Sequence, residues 1–171
     1  MKKLMSLLLV ALMLLSFAAC SGGGGNSNEE PHEPTVSDFY DNANECGKQI
    51  KITADAIKSD WDIEFANWRK EIASTEFESV KKKHSKEIEE IDKQIEEIKE
   101  LYNNVKGEPA YDELMETIMK RIDEFYDKAF NCKDDNTMMY NMGYSSADAF
   151  LSVALGDLSS KLLIDSADSN K

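Results

Sequence analysis

The sequence predicts an all-α fold: an antiparallel bundle of four or five helices, one of them long enough to extend as a coiled-coil-like arm. Three observations carry this. Apolar residues recur every three or four positions almost continuously from Val36 to Leu162, the period of a helix face. No stretch shows the strict alternation of a strand. Cap-like sequences and one Gly/Pro pair divide the stripes into segments.

The first stripe runs Val36, Phe39, Ala43, Cys46, Ile50, Ala54 and Ile57, and stays in phase through Trp61, Phe65, Trp68 and Ile72. Thr35-Val-Ser-Asp38 fits the capping box that starts a helix. Ser59-Asp-Trp-Asp62 fits it too, so a break near residue 59 and one helix from 36 to 73 are both open. The second stripe joins Phe77, Val80, Ile88, Ile91, Ile95, Ile98, Tyr102 and Val105, with His84 as a polar interruption. Thr75-Glu-Phe-Glu78 is its cap, and Glu78/Lys82 and Glu89/Lys93 are spaced for ion pairs one turn apart. Gly107 and Pro109 mark a stop and a start in quick succession. The third stripe then runs from Tyr111 through Leu114, Ile118, Ile122, Phe125 and Ala129 to Cys132. After Ser145-Ser-Ala-Asp148 a last stripe holds Leu151, Ala154, Leu155, Leu158 and Leu162. The 136 residues from 36 to 171 suffice for one hydrophobic core and suggest one domain.

The chain's opening has a different character. Lys2 and Lys3 precede an apolar run from Leu4 to Phe17, interrupted by Ser6 and Ser16. That run is shorter than the ~20 residues a permanent membrane helix needs, and it fits a secretion signal over residues 1–19. Phe17-Ala18-Ala19-Cys20 resembles the lipobox of bacterial lipoproteins, with Phe17 where Leu is commonest. The resemblance implies cleavage before Cys20 and a diacylglycerol on its sulfur. Residues 21–35 contain no large apolar side chain and form a flexible tether, with a reach of about 50 Å when extended. The expected location is the bacterial cell envelope, at the outer membrane or cell surface rather than the inner membrane.

Charge narrows the partners. The chain has 20 basic and 33 acidic residues, a formal charge of −13. Loss of Lys2 and Lys3 with the signal leaves 18 basic residues against 33 acidic ones, or −15. Nucleic acid and anionic lipid surfaces repel such a body. With Cys20 lipidated, Cys46 and Cys132 remain, and exported chains usually pair an even number of cysteines. The pairing conflicts with one long helix from 36 to 73, which in an up-down bundle leaves the two cysteines some 30 Å apart along the axis. A disulfide needs Cα atoms within about 7 Å. Either Cys46 and Cys132 are unpaired, or the first segment folds back near residue 59.

Catalytic constellations are scarce. A Gly-rich phosphate loop, a Gly-x-Ser-x-Gly elbow and His-Glu-x-x-His are absent from the sequence, and the one Glu-x-x-His, Glu29 to His32, falls in the tether, whereas di-iron bundles need that motif on two helices. His84 is the one histidine after the tether, flanked by lysines that read as a solvated face. The segment from Cys132 to Tyr144 is read as a connection. Its Met138, Met139 and Met142 are weak candidates for soft Cu(I) ligation, with packing or partner recognition as the commoner use of methionine. Asp134 and Asp135 lack the spaced acids of an EF-hand.

These residues support a non-enzymatic, membrane-anchored envelope lipoprotein whose helical domain is a protein-interaction or assembly module. A metal- or small-ligand-binding bundle is the first alternative and an envelope hydrolase the second. The expected partners are the membrane, through the lipid anchor, and another envelope protein; no cofactor is expected.

Overall fold

Five helices form the described part of the protein, a computed structural model that describes residues 32–60, 74–131 and 137–169. They are α1 (Val36–Asp60), α2 (Ser74–Lys83), α3 (Ser85–Val105), α4 (Pro109–Phe130) and α5 (Thr137–Ser169). The expected signal over residues 1–19, Cys20, the tether as far as Pro31, residues 61–73, and Cys132 with Asp134 and Asp135 lie outside the described residues. All-α architecture agrees with the sequence.

The bundle is antiparallel and arranged around α1, which packs against all four other helices. Phe39 near the start of α1 faces Tyr102 near the end of α3, with ring centroids 6.4 Å apart. At the other end of the bundle, Asp60 meets His84 at 3.3 Å. Helix α4 therefore runs parallel to α1, and α5 returns antiparallel to both. Lys51 pairs with Asp148 at 3.3 Å, Tyr144 donates to Asp55 at 3.0 Å, and Tyr111 donates to Asp165.

The described residues of each stripe turn inward. Phe39, Ala43, Cys46, Ile50 and Ile57 of α1 meet Met115, Ile118, Ile122 and Phe125 of α4, all completely buried. Burial of each large side chain contributes roughly 1.5–3 kcal/mol. The start of α1 forms as the cap predicts. Thr35 N–H donates to Asp38 Oδ2 at 2.7 Å, and Asp38 N–H donates back to Thr35 Oγ1 at 3.2 Å. Between α3 and α4, Gly107 has φ +148 and Pro109 opens α4, with Gly107 N–H bonded to Asp112 at 3.0 Å. Only glycine takes that backbone conformation without strain.

Three expectations change. The long helix expected to carry the stripe from Phe77 to Val105 is two helices: His84 has φ −101 and ψ 18, and α3 restarts at Ser85. The break lets the imidazole reach Asp60, and α3 then lies along α1 as a stave of the bundle. Thr75 is already within α2 and so is not its cap. The ion pairs on these helices form three residues apart, as in Glu90–Lys93 at 3.2 Å and Glu96–Lys99 at 2.7 Å.

The last helix begins at Thr137, not near Ser145. Tyr140, Tyr144, Ala147 and Leu151 form one buried stripe across the supposed cap, and tertiary packing outweighs the local preference of Ser145 and Ser146 for a helix start. The segment read as a connection up to Tyr144 is thus largely helix. Its end is held by Tyr140, which donates to the Ala129 carbonyl at 3.2 Å and meets the Phe77 ring edge-on at 5.9 Å.

Cys46 is a free, completely buried thiol, so the disulfide expected with Cys132 is not formed at this end. Asn131, the neighbour of Cys132, bonds Lys81 at the Asp60 end of the bundle. Cys46 lies fourteen residues down α1 from Asp60, a separation of about 21 Å at 1.5 Å per residue. Burial, then Asp123 and Glu45, push its thiol up to about 12. It should resist alkylation at pH 8 in the folded protein and react fully once denaturant is added, as read by peptide mass. A Cys46–Cys132 linked peptide would contradict this assignment.

Candidate interaction surface

Helix α5 differs from the other staves because it is apolar on both sides. Its inner side carries the stripe from Tyr140 to Leu158. Two polar clusters pin that side to its neighbours. At one, Tyr144 donates to Asp55, Lys58 approaches the same carboxylate at 3.5 Å, and Lys51 bridges Asp55 at 3.7 Å and Asp148 at 3.3 Å. The ammonium of Lys58, nearly buried, also lies 4.7 Å from the centroid of the Tyr144 ring, a desolvated cation–π contact. At the other, Tyr111 donates to Asp165, which Lys161 pairs at 3.0 Å.

These clusters set a pH window. The Asp165 bond, then burial, push the Tyr111 phenol up to about 12. Burial, then Asp55, push the Tyr144 phenol further in the same direction. Phenols with raised folded pKa values contribute fully below the ordinary value near 10 and lose that contribution as pH rises through the folded value. Asp165 runs the other way. Its bonds from Tyr111 and Lys161 hold it below the ordinary 3.8, so its contribution is present above that value and is lost as pH falls through the lower folded one. Thermal melts should therefore show no loss from these groups between pH 5 and 9, and a decline above about pH 10. The decline should be smaller in Tyr144→Phe. An equal decline in that variant would contradict the assignment.

The outer side of α5 has few charges. Met142, Phe150, Val153, Leu163 and Ile164 stand 52–68% exposed, interspersed with exposed Ser146, Ala149, Gly156, Ser160 and Ala167. Asp157 is the one carboxylate on that strip between Met142 and Ala167. The other staves face outward with charge: Asp41, Glu45, Lys48 and Lys51 on α1, Glu89, Glu90, Glu96 and Glu100 on α3, Glu113, Glu116, Lys120 and Asp123 on α4. On α3 the crowding is strong enough to register. Burial, then Glu90 and Glu100, raise the Glu97 carboxyl above its usual range. The Arg121 guanidinium lies 5.0 Å from the Phe150 ring centroid and pairs with Glu124 at 2.5 Å, closing one edge of the strip.

The residues singled out from the sequence do not converge on a site. Met142 lies on the outer strip; Met138 and Met139 belong to α5, and their side chains lie outside the described residues, as do Cys20 and Cys132. His84 faces Asp60 and Lys83 pairs the same carboxylate at 3.8 Å, an arrangement that ties α1 to the α2–α3 corner. Among the described residues no group of three or more His, Cys, Asp or Glu side chains is placed to hold a metal ion. No described helix is long and apolar enough to cross a membrane. The outer strip of α5 was missed because only its inner residues were read as a stripe. A second period was present in Met142, Ala149, Val153 and Leu163.

Compared with known protein families, curated proteins and solved structures, the chain gives no match.

Proposed function

We propose that the chain is a membrane-anchored envelope lipoprotein whose helical domain is a protein-interaction module, docking through the outer strip of α5. One observation carries the docking half. In a chain of which 31% is charged, about seven helical turns present five large apolar side chains to water and a single carboxylate. Exposed apolar surface costs roughly 25 cal/mol per Å² relative to burial, and contiguous patches of it mark interaction sites. The anchor half rests on Lys2, Lys3, the apolar run and the lipobox ending at Cys20.

The test is crosslinking and affinity capture of the tagged full chain from native membranes, beside Val153→Asp, with intact mass recorded. A chain starting at Cys20 with added acyl groups supports the anchor, and an unmodified Met1 start removes it. Partner capture lost in Val153→Asp supports the docking strip. Capture undiminished by that change removes it.

A further inference from the structure

We infer that the outer strip of α5 is a self-association surface, and that its occupant is α5 of a second copy of this chain. The inference rests on the interaction reading above and names the partner of the same surface.

The spacing of the strip is the first argument. Exposed positions 142, 146, 149, 153, 156, 160, 163 and 167 are separated by four and three residues in alternation. They hold Met, Ser, Ala, Val, Gly, Ser, Leu and Ala, so small or apolar residues without a charge occupy the spacing along which one helix lies against another. No described helix of the chain covers it.

Gly156 is the second and is independent of the first. It lies in the helix interior, where glycine is the least favourable residue after proline. A Cβ built there meets nothing within 4 Å. Among the described residues, therefore, nothing gives a reason for glycine at this position. Gly47, in contrast, is held small by Leu151 at 2.9 Å. A helix approaching from outside supplies the missing reason, because small residues at the centre of a crossing let two backbones come close.

Charge selects the second copy. The chain carries a formal −13, so two copies repel across nearly any pair of faces. Through the α5 strip they meet with one carboxylate each, Asp157, and a basic partner would find its complement on α3 or α4 instead. A two-fold pairing brings the same patch against itself, and α5 is the described helix with a matching outward strip. The strip is about 39 Å long and about 10 Å wide. Two such faces come to about 800 Å², extended somewhat by Phe150 and Ile164 on their flank, which places the pair among small, weak interfaces. A dimer of that size is expected to form in the micromolar range rather than below it.

The test is sedimentation velocity of the full chain in mild detergent across low to high micromolar concentration, beside Val153→Asp and Gly156→Leu. Both positions are exposed, so circular dichroism should stay at the wild-type level, and neither variant should melt much below the wild type; Gly156→Leu, which removes a helix-interior glycine, should melt at or above it. A Cβ at 156 meets no described atom within 4 Å, so Leu there starts into open space. The wild type should pass from monomer to dimer, and each variant should weaken that step at least tenfold. A wild type monomeric throughout, or a dimer that both variants retain, overturns the inference. If the wild type is monomeric while Val153→Asp still loses a partner captured from membranes, the docking strip stands and the second copy is excluded.

Discussion

Replacing Tyr144 by alanine should remove about 3–5 kcal/mol of stability, the range for deleting a fully buried aromatic ring. The side chain is 2% exposed and sits where three helices meet. Its ring stacks on Tyr140 at 6.2 Å, contacts Phe125 at 5.5 Å, and is approached by the ammonium groups of Lys58 at 4.7 Å and Lys51 at 5.4 Å. Its hydroxyl bonds Asp55. Truncation leaves a cavity between α1, α4 and α5, and takes the aromatic face away from a nearly buried ammonium. Against a total stability of about 5–15 kcal/mol, that is enough to lower the melting temperature by on the order of 15 °C. Tyr144→Phe keeps the ring and loses one hydrogen bond, so about 1 kcal/mol should go. Equilibrium denaturation of the three proteins decides it. Equal losses for Ala and Phe would mean that the hydroxyl, not the packed ring, is what holds the three helices together.

The second large effect is expected at Gly47, where the Leu151 side chain of α5 lies close against α1. Alanine there brings a Cβ to 2.9 Å from Leu151 Cδ2, which the tip of that side chain can relieve by moving. The gain in helix propensity, about 1 kcal/mol, then offsets the shift, and Gly47→Ala should lie within about 1 kcal/mol of wild type. Leucine has no such escape. Three more carbons would have to enter a filled space, forcing α5 away from α1 at a cost of about 3 kcal/mol. The pair is self-checking. Leu151→Ala should by itself cost about 2–5 kcal/mol. Combined with Gly47→Leu it exchanges volume across the contact, so the double variant should lose at least 1 kcal/mol less than the two single losses added. Strict additivity would place the two side chains out of contact.

Much of the fold was legible because most of its helices obey one rule: apolar residues at three- and four-residue steps face the core. Val36 to Ile57, Ile88 to Ile98 and Tyr111 to Ala129 were readable on that rule and are buried as it requires. The Thr35–Asp38 capping box and the Gly107–Pro109 turn were also readable, because each satisfies backbone groups locally. The errors arose where a distant contact decided. Whether a helix passes through His84 depends on Asp60, twenty-four residues away. Whether α5 begins at Thr137 or near Ser145 depends on what Tyr140 and Tyr144 find on α4 and α1. The pairing of Cys46 depends on topology, and spacing along the chain carries no information about it.

The outer strip of α5 was hidden for another reason. A helix with apolar residues on opposite sides looks, in sequence, like a poorly resolved stripe. Only burial separates Leu151 and Leu158, which face inward, from Val153 and Leu163, which do not.

The central claim is that this outer strip is where the protein docks. The most direct measurement places a photo-crosslinking residue at Val153, and separately at Glu116 on the charged outer side of α4, in the full chain within native membranes. The strip predicts a discrete protein adduct from position 153 and none from position 116. No adduct from 153, or adducts of equal yield from both, would contradict it.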